Sequence, residues 1–158
     1  MLTDTHCHLD LDKFNPDRDA VIQRALDAGV ERIMIPALDL ESSKAIVQLA
    51  NSHPNIFAAV GFHPTDLDKW GDSSVENLRN LAKSADNILA IGEIGLDYYW
   101  VKEPEKQAQQ REVLKQQLQL SQDVNLPVII HMREENDAWF GQASVDLLEI
   151  ISVWQKEL

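Results

Sequence analysis

Six side chains in this sequence have the types and spacing for metal-assisted hydrolysis: His6, His8, His63, Glu93, His131 and Arg133. His6 and His8 alternate in the opening run Thr3-Asp4-Thr5-His6-Cys7-His8-Leu9. In an extended chain they project, with Asp4, from one face, while Thr5 and Cys7 project from the other. Two imidazoles on adjacent rungs of one face can share an ion, and Cys7 reads as a small apolar filler. His63 follows Ala58-Ala59-Val60-Gly61-Phe62, Glu93 follows Ile88-Leu89-Ala90-Ile91-Gly92, and His131 follows Val128-Ile129-Ile130. Burying Glu93 alone would be costly without a cation or donor to pair it. Mixed carboxylate and imidazole donors suit zinc, manganese or iron. Arg133 shares a strand face with His131 and could hold a phosphate, or pair on the surface with Glu134 or Glu135.

Each of these residues has a bland account of its own. His63, before Pro64, reads equally as a strand-end turn residue, and His131 as a satisfied core histidine. Their gathering at the ends of several strands favours chemistry, because barrel enzymes collect catalytic groups at the carboxyl ends of parallel strands. His53, in Asn51-Ser52-His53-Pro54, reads as an exposed helix-end residue.

The elements that must position these groups alternate. β-like runs cover residues 2–9, 31–38, 55–63, 88–96 and 126–132. Asn15-Pro16 predicts a cap with proline at the first helical position, and Gly29 the end of that helix. Asp39 and Ser73-Ser74 can cap the next two helices. Pro104-Glu105 opens a longer Gln-rich helix that closes near Asn125, and Leu147, Leu148, Ile150, Ile151 and Trp154 recur at helical spacing in a last one. Strict strand–helix alternation implies a parallel sheet, because parallel neighbours need long crossovers. An open doubly wound sheet and a barrel both satisfy it. The polar strand ends favour the barrel: an α/β fold, an incomplete TIM-like (β/α) barrel of about five units, with residues 1–158 forming one partial domain.

Composition narrows the setting. With 158 residues, 44% of them hydrophobic, the chain can bury a sizeable core. A single cysteine excludes an internal disulfide and fits a reducing compartment. No apolar run reaches the roughly 18 residues of a membrane span, and the start lacks a signal-peptide pattern, so a cytoplasmic protein with no membrane partner is expected. A net charge of -12 opposes sequence-independent capture of nucleic acid, although bound cations reverse the sign locally.

Four motifs, Thr3-Asp4-Thr5-His6-Cys7-His8-Leu9, Val60-Gly61-Phe62-His63-Pro64, Ile91-Gly92-Glu93-Ile94-Gly95-Leu96-Asp97-Tyr98-Tyr99 and Pro127-Val128-Ile129-Ile130-His131-Met132-Arg133, in order over about 130 residues, resemble the TatD family of metal-dependent deoxyribonucleases in the amidohydrolase-like superfamily. The resemblance implies a TIM-like barrel with two divalent cations (Mg, Mn or Zn) per intact site, hydrolysing phosphodiester bonds in DNA as an exonuclease. It implies that His6 and His8 bind one ion, that Glu93 bridges both and is catalytic, and that His131 binds the second. His63 and Arg133 would bind the substrate phosphate, and Asp97 and Tyr98 would shape a loop.

Such barrels need roughly 250 residues. The family brings a further histidine ligand after the sixth strand and an aspartate after the eighth, neither of which is among these 158 residues. The expectation is therefore a C-terminally truncated chain, inactive or weak in isolation. Its first ion would keep three donors and its second only Glu93 and His131, so that at most one ion binds well. Exposed barrel edges would drive self-association or instability. Two other readings stand beside this one: an amidohydrolase-like enzyme on a small ester or amide, which the acidic balance favours, and a non-catalytic metal-binding remnant.

Overall fold

The computed structural model describes residues 2–155. Five units follow one another: β1 (Leu2–Asp4) and α1 (Arg18–Asp27), β2 (Val30–Pro36) and α2 (Leu40–Ser52), β3 (Ile56–Val60) and α3 (Ser74–Ala82), β4 (Ile88–Asp97) and α4 (Pro104–Val124), β5 (Val128–Arg133) and α5 (Gln142–Trp154). All neighbouring strands pair in parallel, in the spatial order β1-β2-β3-β4-β5. A doubly wound sheet reverses its order at a switch point, and this one never does. Crossovers of one hand then place every helix on the same face, and the twisted sheet curls away from them. The result is an α/β arc, an incomplete (β/α) barrel.

The helix-side face is closed. Ile33, Ile35, Ile56, Ala58, Ile88 and Ile91 from the strands join Ile46, Leu78, Leu114 and Leu118 from the helices in one core. Alternation turns Met34 and its Cα partner Phe57 to the concave side, where both stay half-buried, as does Ile129 on β5. The outer strands are open as well: all of β1 is exposed, and Met132 on β5 is 40% exposed.

The opening strand is shorter than the sequence predicts, ending at Asp4 rather than Leu9. Pro36 limits how far bonding to β2 can continue past it. Cys7 N–H donates to the Met34 carbonyl, so even-numbered β2 residues face β1, whereas Ala37 N–H donates to Ala59 on β3. Pro36 therefore presents to β1 a nitrogen with no hydrogen, and bonding stops there. His6 and His8 flank Cys7, whose bond to β2 lies beyond the regular ladder.

Capping differs in detail from the prediction. Asp39 forms a reciprocal capping box with Ser42 on α2, and Gly29, at φ +89°, ends α1. Pro16 lies before α1 rather than at its first position, because Asp17 is the N-cap. Ser73 is the N-cap of α3 but makes no side-chain cap; the Ser74 hydroxyl instead accepts from Gly71 N–H.

The Gln-rich helix α4 packs through a stripe of Gln110, Val113, Leu114, Gln117, Leu118 and Ser121, all buried. Its two glutamines clamp backbone where strands leave the sheet. Gln117 accepts from Phe62 N–H (2.8 Å) and donates to the Phe62 carbonyl (3.1 Å). Gln110 accepts from Asp97 N–H (2.9 Å) and donates to the carbonyls of Pro64 (3.0 Å) and Asp97 (3.2 Å). Polar side chains in an otherwise apolar stripe thus fix the chain on either side of His63 and at the end of β4. At the next strand end Glu134, 3% exposed, accepts from the backbone of Ala143 and Ser144 and from the Ser144 hydroxyl, seating the start of α5. No described helix is long and apolar enough to cross a membrane.

Replacing Gln117 by Leu keeps the volume and strands both backbone groups of Phe62. The expected loss is about 2–4 kcal/mol of unfolding free energy in urea titration, from two orphaned groups. A loss under about 0.5 kcal/mol would show that the clamp contributes nothing.

Candidate metal centre

The carboxylate of Glu93, on β4 with only 7% of the residue exposed, is shared between two sets of imidazoles. Its Oε2 lies 3.3 Å from His6 Nε2 and 4.0 Å from His8 Nε2, and those nitrogens are 3.3 Å apart. Its Oε1 lies 3.2 Å from His131 Nδ1. His63 packs edge-on against His131, with 4.3 Å between ring centroids. Two donor groups result, His6–His8–Glu93 and His63–Glu93–His131, each with its donor atoms within 4.8 Å of one another. His63, expected on the substrate side, lies inside the second group.

The strands reach this arrangement by close approach. A Cβ on Gly92 would come within 2.8 Å of the Ile129 Cβ, and one on Gly95, whose φ is +151°, would overlap the His131 carbonyl oxygen. Glycine at these positions lets β5 lie against β4, with Gly95 and His131 in register.

The first group fits a divalent cation. For mutual distances of 3.3, 3.3 and 4.0 Å, the point equidistant from the three atoms lies about 2.1 Å from each, within the range of zinc–nitrogen and zinc–oxygen bonds. A second sign is the pair His8 Nδ1 and Asp10 Oδ1. Both are buried without a hydrogen-bond partner, 3.9 Å apart. A ligating histidine donates its other N–H to an outer carboxylate, and Asp10 stands where that acceptor is needed. Burial raises the Asp10 pKa.

Charge is balanced within the cluster. Burial acts to raise the Glu93 pKa, but His131, His6 and His63 outweigh it and hold the carboxyl below its ordinary 4.5. Burial also acts against a charged His131. Glu93 on Nδ1 and Asp97 on Nε2 (2.9 Å) overcome this and raise its pKa above 6.5. Burial and the neighbouring His131 push His63 down to about 4, so it is neutral near pH 7. Thr65 donates its hydroxyl to Asp66 (2.7 Å), and its oxygen lies 2.7 Å from His63 Nδ1, which also accepts from Thr65 N–H (3.3 Å).

Arg133 takes neither sequence-stated surface partner. Its guanidinium forms a two-point pair with Asp137 (2.7 and 3.2 Å) and lies 3.7 Å from the Tyr99 ring centre. Glu134 is engaged by α5, and Glu135 by Lys102. Cys7 is half-buried against the core with its thiol pushed up to about 11, mainly by burial, and belongs to neither donor group. His53 is half-buried, pairs with Asp19 at 3.4 Å and belongs to neither donor group. A cleft of about 650 Å³ between α4 and α5 shares no residue with the donors.

Sequence reading passed over Asp10, the Asp66–Thr65 relay and the two glutamines. Asp10 continues the alternation of His6 and His8, a signal that was available. Asp97 was noted as loop-shaping; the structure adds its bond to His131.

Comparison with known proteins gives one direction. The family model described as TatD related DNase matches residues 3–158. The chain is 40% identical over 135 residues to the uncharacterized metal-dependent hydrolase YjjV of Escherichia coli, covering 85% of this chain and 51% of that protein. It is 35% identical over 131 residues to the 3'-5' ssDNA/RNA exonuclease TatD of Erwinia tasmaniensis, covering 82% and 49%. The crystal structure of YjjV, a TatD homologue from Escherichia coli K12, superposes with a TM-score of 0.77 at 30% identity, over 96% of this chain and 65% of that one. The chain spans about half the length of these curated relatives.

Calorimetric titration with zinc or manganese tests the two groups separately. Asp10→Asn should weaken the His6–His8–Glu93 ion about 10–100-fold. Binding at the second group must displace the proton that Glu93 and Asp97 hold on His131. Its affinity should therefore fall as pH drops through a value above 6.5, and more steeply than that of the first. Parallel pH dependence of both events, or an unchanged Asp10→Asn variant, contradicts the assignment.

Proposed function

The chain belongs to the TatD-related DNase family, and on that footing we propose that it carries the metal-binding side of a phosphodiesterase site acting on DNA. The observation that carries the proposal is the division of Glu93. One oxygen serves His6 and His8, the other His131, as a carboxylate bridging two ions requires. Curated relatives named metal-dependent hydrolase and 3'-5' ssDNA/RNA exonuclease support it.

Divalent cations held by these residues supply Lewis-acid polarisation of phosphoryl oxygens and stabilisation of the leaving oxygen. The chain's own residues do the rest. His6, His8 and Glu93 would hold one ion, and Glu93 and His131 a second, with His63, neutral near pH 7, packed against His131. Asp97 orients His131, and Asp10, 3.9 Å from His8 Nδ1, would orient His8 once an ion is held. Arg133 meets a phosphate by exchanging its exposed partner Asp137, an ion pair worth only about 0–1 kcal/mol. Glu93, Asp10 and Asp97 each face an imidazole.

A second reading, hydrolysis of a small phosphoester or amide, is favoured by the net charge of -12, which opposes long contact with a polyanion. Comparing single-stranded DNA with bis(p-nitrophenyl) phosphate, each with manganese, separates the two. The expected outcome is weak, metal-dependent nucleotide release from DNA that disappears in Glu93→Gln. The loss should exceed the roughly 10–100-fold cost of removing an outer partner. Cleavage that persists with chelator or in Glu93→Gln contradicts the proposal. Cleavage of the small ester alone favours the second reading, and no cleavage with retained metal favours a binding remnant.

The open edges of β1 and β5 support self-association of the isolated chain. Sedimentation velocity should show species larger than the 17.9 kDa monomer, increasing with concentration. A concentration-independent monomer would count against it.

A further inference from the structure

Exposed aromatic side chains are not scattered over this surface. Among the described residues, the large ones facing water are Trp100 (66% exposed), Trp139 (101%) and Phe140 (64%). All three follow β4 or β5, on the loops leaving the strand ends that carry Glu93 and His131. Parallel barrels bind substrates at that end.

The loops are tied to one another and to the metal donors. Asp97 accepts from His131 Nε2 through one oxygen and from Trp100 N–H (2.7 Å) through the other, so one buried carboxylate orients an imidazole and anchors the aromatic loop. Tyr99 and Trp100 meet edge to face at 4.8 Å. Arg133, beside Asp97 in the β4–β5 register, lies over Tyr99 at 3.7 Å and 5.7 Å from the Trp100 ring centre. Its partner Asp137 and the preceding Asn136 have φ of +54° and +58°, a left-handed turn leading directly into Ala138-Trp139-Phe140. Lys102 Nζ stands 5.7 Å from the Tyr99 ring.

We infer that these two loops form a stacking ledge for the unpaired bases of a single-stranded nucleic acid, an inference that rests on the phosphodiesterase reading above. Flat aromatic faces accept any base, because every base has a π-face, and an arginine plane extends the stack. A duplex keeps its bases stacked inside and cannot use such faces. The cations on the ledge, Arg133 and Lys102, are held by exposed acids, Asp137 and Glu135, which a strand phosphate can replace at small cost. Substrate grip in this acidic chain then comes from base faces more than from net charge. Trp139 and Phe140 make the second loop part of the ledge, so selectivity for unpaired over paired ends is built into the β5–α5 connection.

The test uses the 158-residue chain with chelator present, which stops metal-dependent cleavage, and a fluorescently labelled short oligothymidylate read by anisotropy. The same strand made abasic, and a blunt duplex, serve as comparisons. The intact strand should bind about tenfold or more tightly than the abasic one. Trp100→Ala and Trp139→Ala should each weaken intact-strand binding about 5–150-fold, the range for one base–aromatic stack, and leave abasic binding unchanged. Both side chains are exposed, and circular dichroism serves as the check that the variants fold. Equal binding of intact and abasic strands, insensitivity to both substitutions, or preference for the duplex overturns the ledge. Variants that alter sedimentation but not strand binding assign the surface to a second copy of the chain and also overturn it. None of these outcomes depends on Glu93, so failure of the ledge and failure of the hydrolase reading are separable.

Discussion

A carboxylate buried in the wall of a barrel needs positive partners, and this constraint organises the molecule around Glu93. Left alone, the group would cost several kcal/mol or take up a proton. Here four imidazoles reach it or its immediate neighbours from three other segments of chain: His6 and His8 after β1, His63 after β3 and His131 on β5. Each of those segments must then be held in place, and much of the polar interior exists to hold them. Gln117 fixes the residue before His63, Gln110 fixes Asp97, and Asp97 fixes His131. Gly92 and Gly95 let β5 approach closely enough for His131 to arrive at all. A buried charge thus propagates outward as a demand for satisfied hydrogen bonds, which is why a helix exposed on its far side carries buried glutamines on its near one.

The two halves of the cluster differ in how they meet that demand. His6 and His8 sit beyond the regular β1 ladder at an open edge, and their geometry already matches the coordination radius of a small divalent ion. His131 is clasped between two carboxylates and His63 is held neutral by burial, so the second half is a self-compensated network without any ion. The first half has unsatisfied buried atoms, His8 Nδ1 and Asp10 Oδ1, where the second has hydrogen bonds. This asymmetry tracks donor chemistry rather than donor number, since each group offers three ligands.

Much of this was legible in the sequence. The alternation of apolar runs with helical stretches places all five strands, and the polar residues at their ends identify the site, because strands buried on both faces tolerate such residues only where chemistry or pairing needs them. Boundaries failed where a single backbone atom decided them. Pro36 limits the pairing of β1, which no reading of residues 2–9 could show. Partner choice failed for Arg133, because its ion pair depends on a left-handed turn at Asn136 and Asp137, residue types that accept that conformation without requiring it. Asp10 was within reach by the same alternation that marks His6 and His8. Gln110 and Gln117, seven residues apart on the apolar stripe of α4, carried a signal too: polar residues at core positions require partners. The spatial order of the strands, which separates barrel from doubly wound sheet, came only with the fold.

The claim at the centre is that Glu93 bridges two ions. Electron paramagnetic resonance of the chain loaded with two equivalents of manganese addresses it directly. A carboxylate bridge predicts a magnetically coupled pair, its spectrum replaced by that of an isolated ion in Glu93→Gln. Two equivalents giving only uncoupled single-ion spectra in the parent chain would contradict the bridge and, with it, the organisation described here.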